Sequence, residues 1–235
     1  VMGLYRMFCI PKAHDGSQGA YVRYPEDELF AIVMIEAARA GATVVGEDLG
    51  TVPPPVRSIM KRSGILGTHV QQFAIGDKPG ACIQPAGAHV LASLNTHDTP
   101  TFAGFWRGDD VTLRQALGHT DKTGAVTELA GRSSMRRAIA GELRTRRLPT
   151  GSARDAAMSL MRLQARGPSP ITLVNLEDLW GERQPQNVPG TSTEYPNWRR
   201  RASRSLTSIL SDAEIKGALS TLRRDRRRRA AKGRS

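Results

Sequence analysis

The chain has 235 residues, of which 39% are hydrophobic and 24% charged, an ordinary globular composition that can bury a sizeable core. No apolar run approaches the roughly eighteen residues of a membrane span, and the first residues lack the basic-then-apolar order of a signal peptide, so a soluble cytoplasmic protein is expected. The net charge of +12 suggests a polyanion partner, but much of the excess sits in three stretches, 132–147, 199–204 and 223–234, with only Trp198 as an aromatic neighbour. Solvated helix faces and a frayed tail are the expected reading, and nucleic acid is not an expected partner.

Cys9 and Cys82 lie in no CxxC pair and beside no histidine at ligand spacing, so neither a disulfide framework nor a zinc site is expected. Val1 to Pro11 reads as a short apolar run whose abrupt start looks like a cut inside a domain. A Gly-containing loop from His14 to Tyr24 follows. Pro25, with Glu26, Asp27 and Glu28 in the first turn, then predicts a helix that Gly41 stops. Thr43 to Val45 reads as a strand, the acidic turn Glu47-Asp48 comes next, and Pro53 to Pro55 open a helix reaching Gly64. Further strands are expected over 68–75, 89–94 and 171–176, with helices over 112–117, 133–147 and 152–166 among the gaps. Ser152 with Asp155, and better Ser211 with Glu214, resemble capping boxes, the second opening a helix that dissolves into Arg226 to Arg229.

Strands alternating with helices predict a parallel sheet covered by helices, either an open doubly wound sheet or a β/α barrel. No GxGxxG or GxxxxGK[ST] follows a strand, which removes the usual support for nucleotide binding. In a barrel the reactive groups stand at the C-terminal strand ends. That directs attention to Glu47 and Asp48, His97 and Asp98, and Glu177 and Asp178. Retaining glycoside chemistry needs two such carboxyl groups about 5 Å apart. Each also has a plainer reading as a helix cap or loop residue: Thr99 before Pro100 could be only a cap, and Glu177 and Asp178 read as structural. Successive strand residues face opposite ways, so one of Glu47 and Asp48 should face a substrate, and spacing alone does not choose.

Val45-Gly46-Glu47-Asp48-Leu49-Gly50-Thr51-Val52-Pro53 and Asn95-Thr96-His97-Asp98-Thr99 together resemble the amylomaltases, the 4-α-glucanotransferases of glycoside hydrolase family 77. The resemblance continues in Met2 to Phe8, Gly19 to Pro25, Gly104-Phe105-Trp106, Asn187 to Thr191 and Asn197-Trp198-Arg199, and so runs to about Arg201. It implies an α/β fold that is the C-terminal half of a (β/α)8 barrel, strands five to eight with helical insertions. It also implies transfer of α-1,4-glucan segments through a covalent glucosyl ester, with no metal or organic cofactor. By the same match Glu47 is the general acid/base, Asp98 the transition-state stabiliser and His97 a sugar contact, while Asn187 and Trp106 are candidate glucan contacts.

The family's nucleophile is the aspartate of an Arg-Ile-Asp-His motif placed just ahead of the segment matched here, and these 235 residues contain no such motif. The expected reading is therefore a truncated glucanotransferase, inactive alone, with residues 1–210 the C-terminal part of the catalytic barrel and 211–235 a helix and basic tail. Cys9 stands where relatives usually carry tryptophan, and the Arg-rich end has no evident counterpart. The competing readings are a basic module that binds nucleic acid or an acidic partner, and a residual glucan binder. Half a barrel would also leave sheet edges and apolar faces open.

Overall fold

The structure, a computed structural model, describes residues 1–76, 78 and 80–232, the last three for backbone alone. It forms two compact units, Val1–Thr68 with His89–Leu91 and His69–Ala88 with Ala92–Ser235.

The first unit opens with a hairpin that the sequence did not announce: β1 (Arg6–Cys9) pairs antiparallel with β2 (Ala20–Arg23), Arg6 opposite Arg23. The link is longer than a two-residue turn, and its Asp15-Gly16 pair stands in the middle of the loop. The Asp15 carboxylate accepts the Ser17 N–H at 2.8 Å and starts a 3-10 turn over Gly16–Gln18. Helix α1 (Glu26–Arg39) stands where its acidic first turn placed it, and Gly41 takes the left-handed φ of +62° just beyond its end. The expected strand over Thr43 to Val45 shrinks to one parallel bridge, Val45 with Leu66, because the chain turns away at once after Gly46. Helix α2 (Pro54–Arg62) follows Pro53, and buries Val56, Ile59 and Met60 against Phe30, Val52 and Ile65. Met7, Phe8, Ile10, Val22, Ile32 and Ile35 remain exposed on this unit.

Strands β3 (Gly67–Val70), β4 (Val90–Ser93) and β5 (Ile171–Leu173) form a sheet in the order β3-β4-β5. Gly67 N donates to His89 O and Gln71 N to Ser93 O at one offset, the pattern of parallel strands. Both outer strands are shorter than expected. Phe73 N and Ala74 N turn back onto Val70 O and end the first, and Leu176 starts a helix where the last was expected to continue. The fold class is thus α/β, but with small sheets in place of the four full strands expected.

In the second unit the helices are α3 (Phe102–Arg107), α4 (Asp109–Ala116), α5 (Lys122–Thr145), α6 (Ala153–Arg166), α7 (Leu176–Trp180), α8 (Leu206–Ser211) and α9 (Ala213–Lys232). Thr101, not Thr99, caps α3, accepting Gly104 N at 3.3 Å. Asp121 starts α5 well before the expected Ser133, accepting Gly124 N at 2.7 Å. Ser152 caps α6 as expected. Leu160 and Met161 of α6 centre a core with Phe102, Ile139, Leu143, Leu179, Ile215 and Leu222.

The basic stretches are not simply solvated. Arg132 is buried, grips Asp110 at 3.0 and 3.1 Å, and lies 3.8 Å from the Phe105 ring centre. Nor does α9 dissolve at Arg226 to Arg229. Asp225 is buried between Arg162 at 2.8 Å and Arg166 at 3.0 Å, Arg229 donates to Pro168 O at 2.7 Å, and Arg226 to Pro170 O. Burial opposes the Asp225 charge, but the two guanidinium groups outweigh it and hold the carboxyl below its usual range. Among the described residues no helix is long and apolar enough to cross a membrane.

The α9 cap is Asp212 rather than the expected Ser211: Asp212 Oδ1 accepts Glu214 N at 2.8 Å and Ile215 N at 3.0 Å, while Ser211 Oγ donates back to Ser208 O. Asp212→Ala is expected to cost about 1 kcal/mol in urea unfolding and Ser211→Ala only a few tenths. Equal costs would contradict this assignment.

Candidate active site

In the first unit Glu47 and Asp48 follow the single-bridge strand, and the backbone turns one inward and the other outward. Asp48 Oδ1 accepts Thr68 N at 2.8 Å, its Oδ2 lies 3.4 Å from Arg57 Nε, and Arg57 also donates to the Asp48 carbonyl at 3.0 Å. Its side chain is 16% exposed. The Glu47 side chain is exposed, and among the described residues its carboxylate takes only a local bond, from Leu49 N to Oε1 at 2.5 Å. The two neighbours thus differ in geometry: Asp48 closes the turn, and the Glu47 side chain is exposed.

In the second unit Asp98 and His97 stand at the end of β4, both exposed. Asp98 Oδ1 accepts Asn187 Nδ2 at 2.6 Å, and Oδ2 lies 3.3 Å from His97 Nε2. A cleft of 270 Å³ opens beside them, lined by Asp98, Asn187, Val188, Pro189, Asp110 and Arg114 among others. Three expected residues, His97, Asp98 and Asn187, are thus brought together across nearly ninety positions of sequence, the Asn187–Asp98 separation being 89. Trp106 is placed elsewhere: its indole packs on the core, 5.6 Å from the Phe102 ring, and does not line this cleft.

Trp198 is the neighbour that sequence reasoning left without a role. Its ring centre lies 5.8 Å from that of His97, and its backbone is held at φ +61° by donation of its N–H to Gln186 O at 2.9 Å. Asn197 beside it accepts Val188 N at 2.9 Å and donates to Thr191 Oγ1 at 2.8 Å, closing the loop that presents Asn187.

Of the other acidic pair, Asp178 is 2% exposed and both its oxygens are taken by internal donors, the structural role expected of it. Cys82 is buried and its thiol pushed up to about 11 by burial and by Glu142, so it is chemically inert, whereas Cys9 is exposed. Among the described residues no group of three His, Cys, Asp or Glu side chains could hold a metal ion.

Short parallel strands followed by helices, with exposed acidic residues beyond two of the strand ends, define an α/β protein. The chain belongs to the 4-alpha-glucanotransferase family, whose sequence pattern matches residues 1–207. It is 41% identical over 208 residues to the 4-alpha-glucanotransferase of Mycobacterium tuberculosis (strain ATCC 25618 / H37Rv), a match taking in 85% of this chain and 29% of that protein. Its fold is similar to that of amylomaltase from Corynebacterium glutamicum, with a TM-score of 0.78, 27% identity, and coverage of 94% of this chain and 34% of that one. Amylomaltase from Streptococcus agalactiae in complex with acarbose shares the fold at a TM-score of 0.65 and 17% identity, covering 94% and 39% of the two chains. The chain therefore spans about a third of the length of these relatives.

Proposed function

We propose that these residues form part of the site of a 4-α-glucanotransferase that moves α-1,4-glucan segments between maltodextrins by a retaining double displacement. The strands are read as five to eight of a (β/α)8 barrel, residues 1–210 as its C-terminal part and 211–235 as an appended helix and basic segment. In the first step a carboxylate nucleophile attacks the anomeric carbon, and Glu47 gives its proton to the departing glycosidic oxygen. In the second, Glu47 takes the proton of the acceptor hydroxyl as that oxygen displaces the ester. Asp98, oriented by Asn187, stabilises the charge that develops on the sugar, with His97 as a further hydroxyl partner. Trp106 is assigned to the core instead of to the glucan.

The observation that supports this reading best is the division between neighbouring carboxylates: Asp48 is tied to Thr68 N and Arg57, while Glu47 is left to solvent. A basic binding module is disfavoured because Arg132, Arg162 and Arg166 are engaged by Asp110 and Asp225. Without the Arg-Ile-Asp-His aspartate no ester can form, so the 235-residue polypeptide by itself is proposed to bind glucan weakly and not to turn it over. Calorimetry with maltoheptaose is expected to give millimolar binding that Asp98→Ala weakens about tenfold, with no transfer from maltotriose. Transfer by the isolated chain, abolished by Glu47→Gln, would overturn the inactivity; no heat at millimolar maltoheptaose would remove the binding.

A further inference from the structure

The segment carrying His97 and Asp98 leaves the sheet at Asn95 and enters α3 at Phe102. One buried side chain, Asp178 on α7, holds both of its ends: Oδ2 accepts Asn95 Nδ2 at 2.8 Å, and Oδ1 accepts Phe102 N at 2.9 Å. Asn95 is braced in turn by Asn175, whose Nδ2 donates to the Asn95 carbonyl at 3.2 Å and to its Oδ1. Within the segment the Thr99 hydroxyl accepts Thr96 N and donates to Thr96 O, both at 2.9 Å. The rim residues His97 and Asp98 thus stand on a closed loop whose two anchors meet at a single carboxylate.

Among the described residues that carboxylate has no cationic hydrogen-bond partner. Burial pushes it up to about 6, Glu177 adds to the rise, and the bonds from Phe102 N and Asn95 only partly oppose it. The small cavity beside it is rimmed by Arg154, Asp155 and Glu214, and Arg154 is already paired with Glu214. A buried carboxylate without a counterion costs stability, so its two-ended acceptor geometry is the feature that distinguishes it from an apolar filler.

We infer that Asp178 is the positioning residue of the Asp98 site: by accepting from both ends of the Asn95–Phe102 segment it sets the direction in which Asp98 and His97 are presented. The inference rests on the reading of Asp98 as a glucan-facing carboxylate, yet the order of the loop can be measured without sugar. Asp178→Asn keeps the shape but turns a donor toward the Asn95 donor. The double exchange Asn95→Asp/Asp178→Asn restores one acceptor against one donor and still leaves an acceptor for Phe102 N.

The test is NMR of the 235-residue chain, reading Phe102 amide exchange and the side-chain amide resonances of Asn187, which report its bond to Asp98. Asp178→Asn is expected to speed Phe102 exchange at least tenfold and to move the Asn187 resonances to those of a free amide, while amides in α5 are unchanged. The double exchange is expected to return both readings to within twofold of the parent. A folded Asp178→Asn with parental Phe102 exchange and Asn187 resonances would overturn the inference. Should the single variant not fold, the double exchange decides: parental signals support the inference, and an unfolded protein or altered signals overturn it. Parental loop signals together with no maltoheptaose binding would count against the glucan reading and leave the positioning role intact.

Discussion

Joined in frame to the N-terminal segment of a full-length family member that carries the nucleophilic aspartate, the chain is expected to transfer glucosyl units from maltotriose, and Glu47→Gln is expected to lower that rate about 10³-fold. Glutamine matches glutamate in size and keeps an oxygen for the single local bond from Leu49 N, so the fold is unaffected. What it loses is the proton that must reach the leaving oxygen and later leave the acceptor. The deficit should fall on kcat, with KM little changed, because the interaction exists only in the transition state. Asp48→Asn provides the contrast: it weakens contacts to Thr68 N and Arg57 and should lower stability more than it lowers the chemical step. Steady-state rates for the two variants decide between these assignments, and equal losses of kcat would contradict them.

Glu142→Ala is expected to cost about 2–4 kcal/mol of unfolding free energy. The Glu142 carboxylate is 3% exposed and accepts Cys82 N at 2.8 Å, Ile83 N at 3.1 Å and Cys82 Sγ at 3.2 Å, with Arg146 Nη2 at 2.5 Å. Its removal leaves two buried backbone N–H groups without an acceptor; Arg146 is half exposed and returns to water at small cost. Burial works against the Glu142 charge, but hydrogen bonds from Cys82, Ile83 and Arg146 outweigh it and hold the carboxyl below its usual range. A depressed carboxyl stabilises the fold above its unfolded pKa of about 4.3 and loses that contribution as pH falls through the folded value. The gap between parent and Glu142→Ala should therefore be full at pH 7 and narrow below about pH 4. Asp178 acts in the opposite sense: with its carboxyl pushed up to about 6, acidification from about pH 6 toward 4 adds stability. Denaturant midpoints followed by labelling of Cys82, which is buried until the chain unfolds, measure both trends. A cost for Glu142→Ala below 1 kcal/mol would contradict the buried-acceptor account.

The difference between Asp178 and Glu142 also shows what sequence could and could not reveal. Both are buried acids beside turns, but their partners lie 83 and 60 positions away, beyond any local pattern. Local signals succeeded where the chemistry was local. The acidic first turn of α1, Pro53 before α2 and Ser152 before α6 each placed a helix start within a residue or two. They failed at Ser211 and Thr99, where Asp212 and Thr101 cap instead, because the backbone chooses which side chain faces the free N–H groups. The hairpin of β1 and β2 was hidden because its strands are exposed and carry no alternation, and its Asp15-Gly16 pair sits inside a long loop and not directly between the strands. The arginine run of α9 looked like a frayed end because the acceptors of Arg226 and Arg229 are the carbonyls of Pro170 and Pro168, which no charge pattern displays.

The motifs pointed to Glu47, His97, Asp98 and Asn187 as candidates but not to the loop geometry that sets them. Which of Glu47 and Asp48 faces outward became visible only when Thr68 N and Arg57 were seen to occupy Asp48. Trp198 had no local signal beyond its resemblance motif, since a left-handed φ at tryptophan is a product of the loop around it.

The most direct test of the account uses the same joined protein with maltotriosyl fluoride, a donor whose leaving group departs without a proton. Mass spectrometry should find the glycosyl ester accumulating in Glu47→Gln, where its formation needs no acid but its transfer to an acceptor lacks a base. It should find none in Asp98→Ala, where the charge on the sugar is unsupported in both steps. Absence of the ester in Glu47→Gln, or its formation in Asp98→Ala at the parental rate, would contradict the roles given to these two carboxylates.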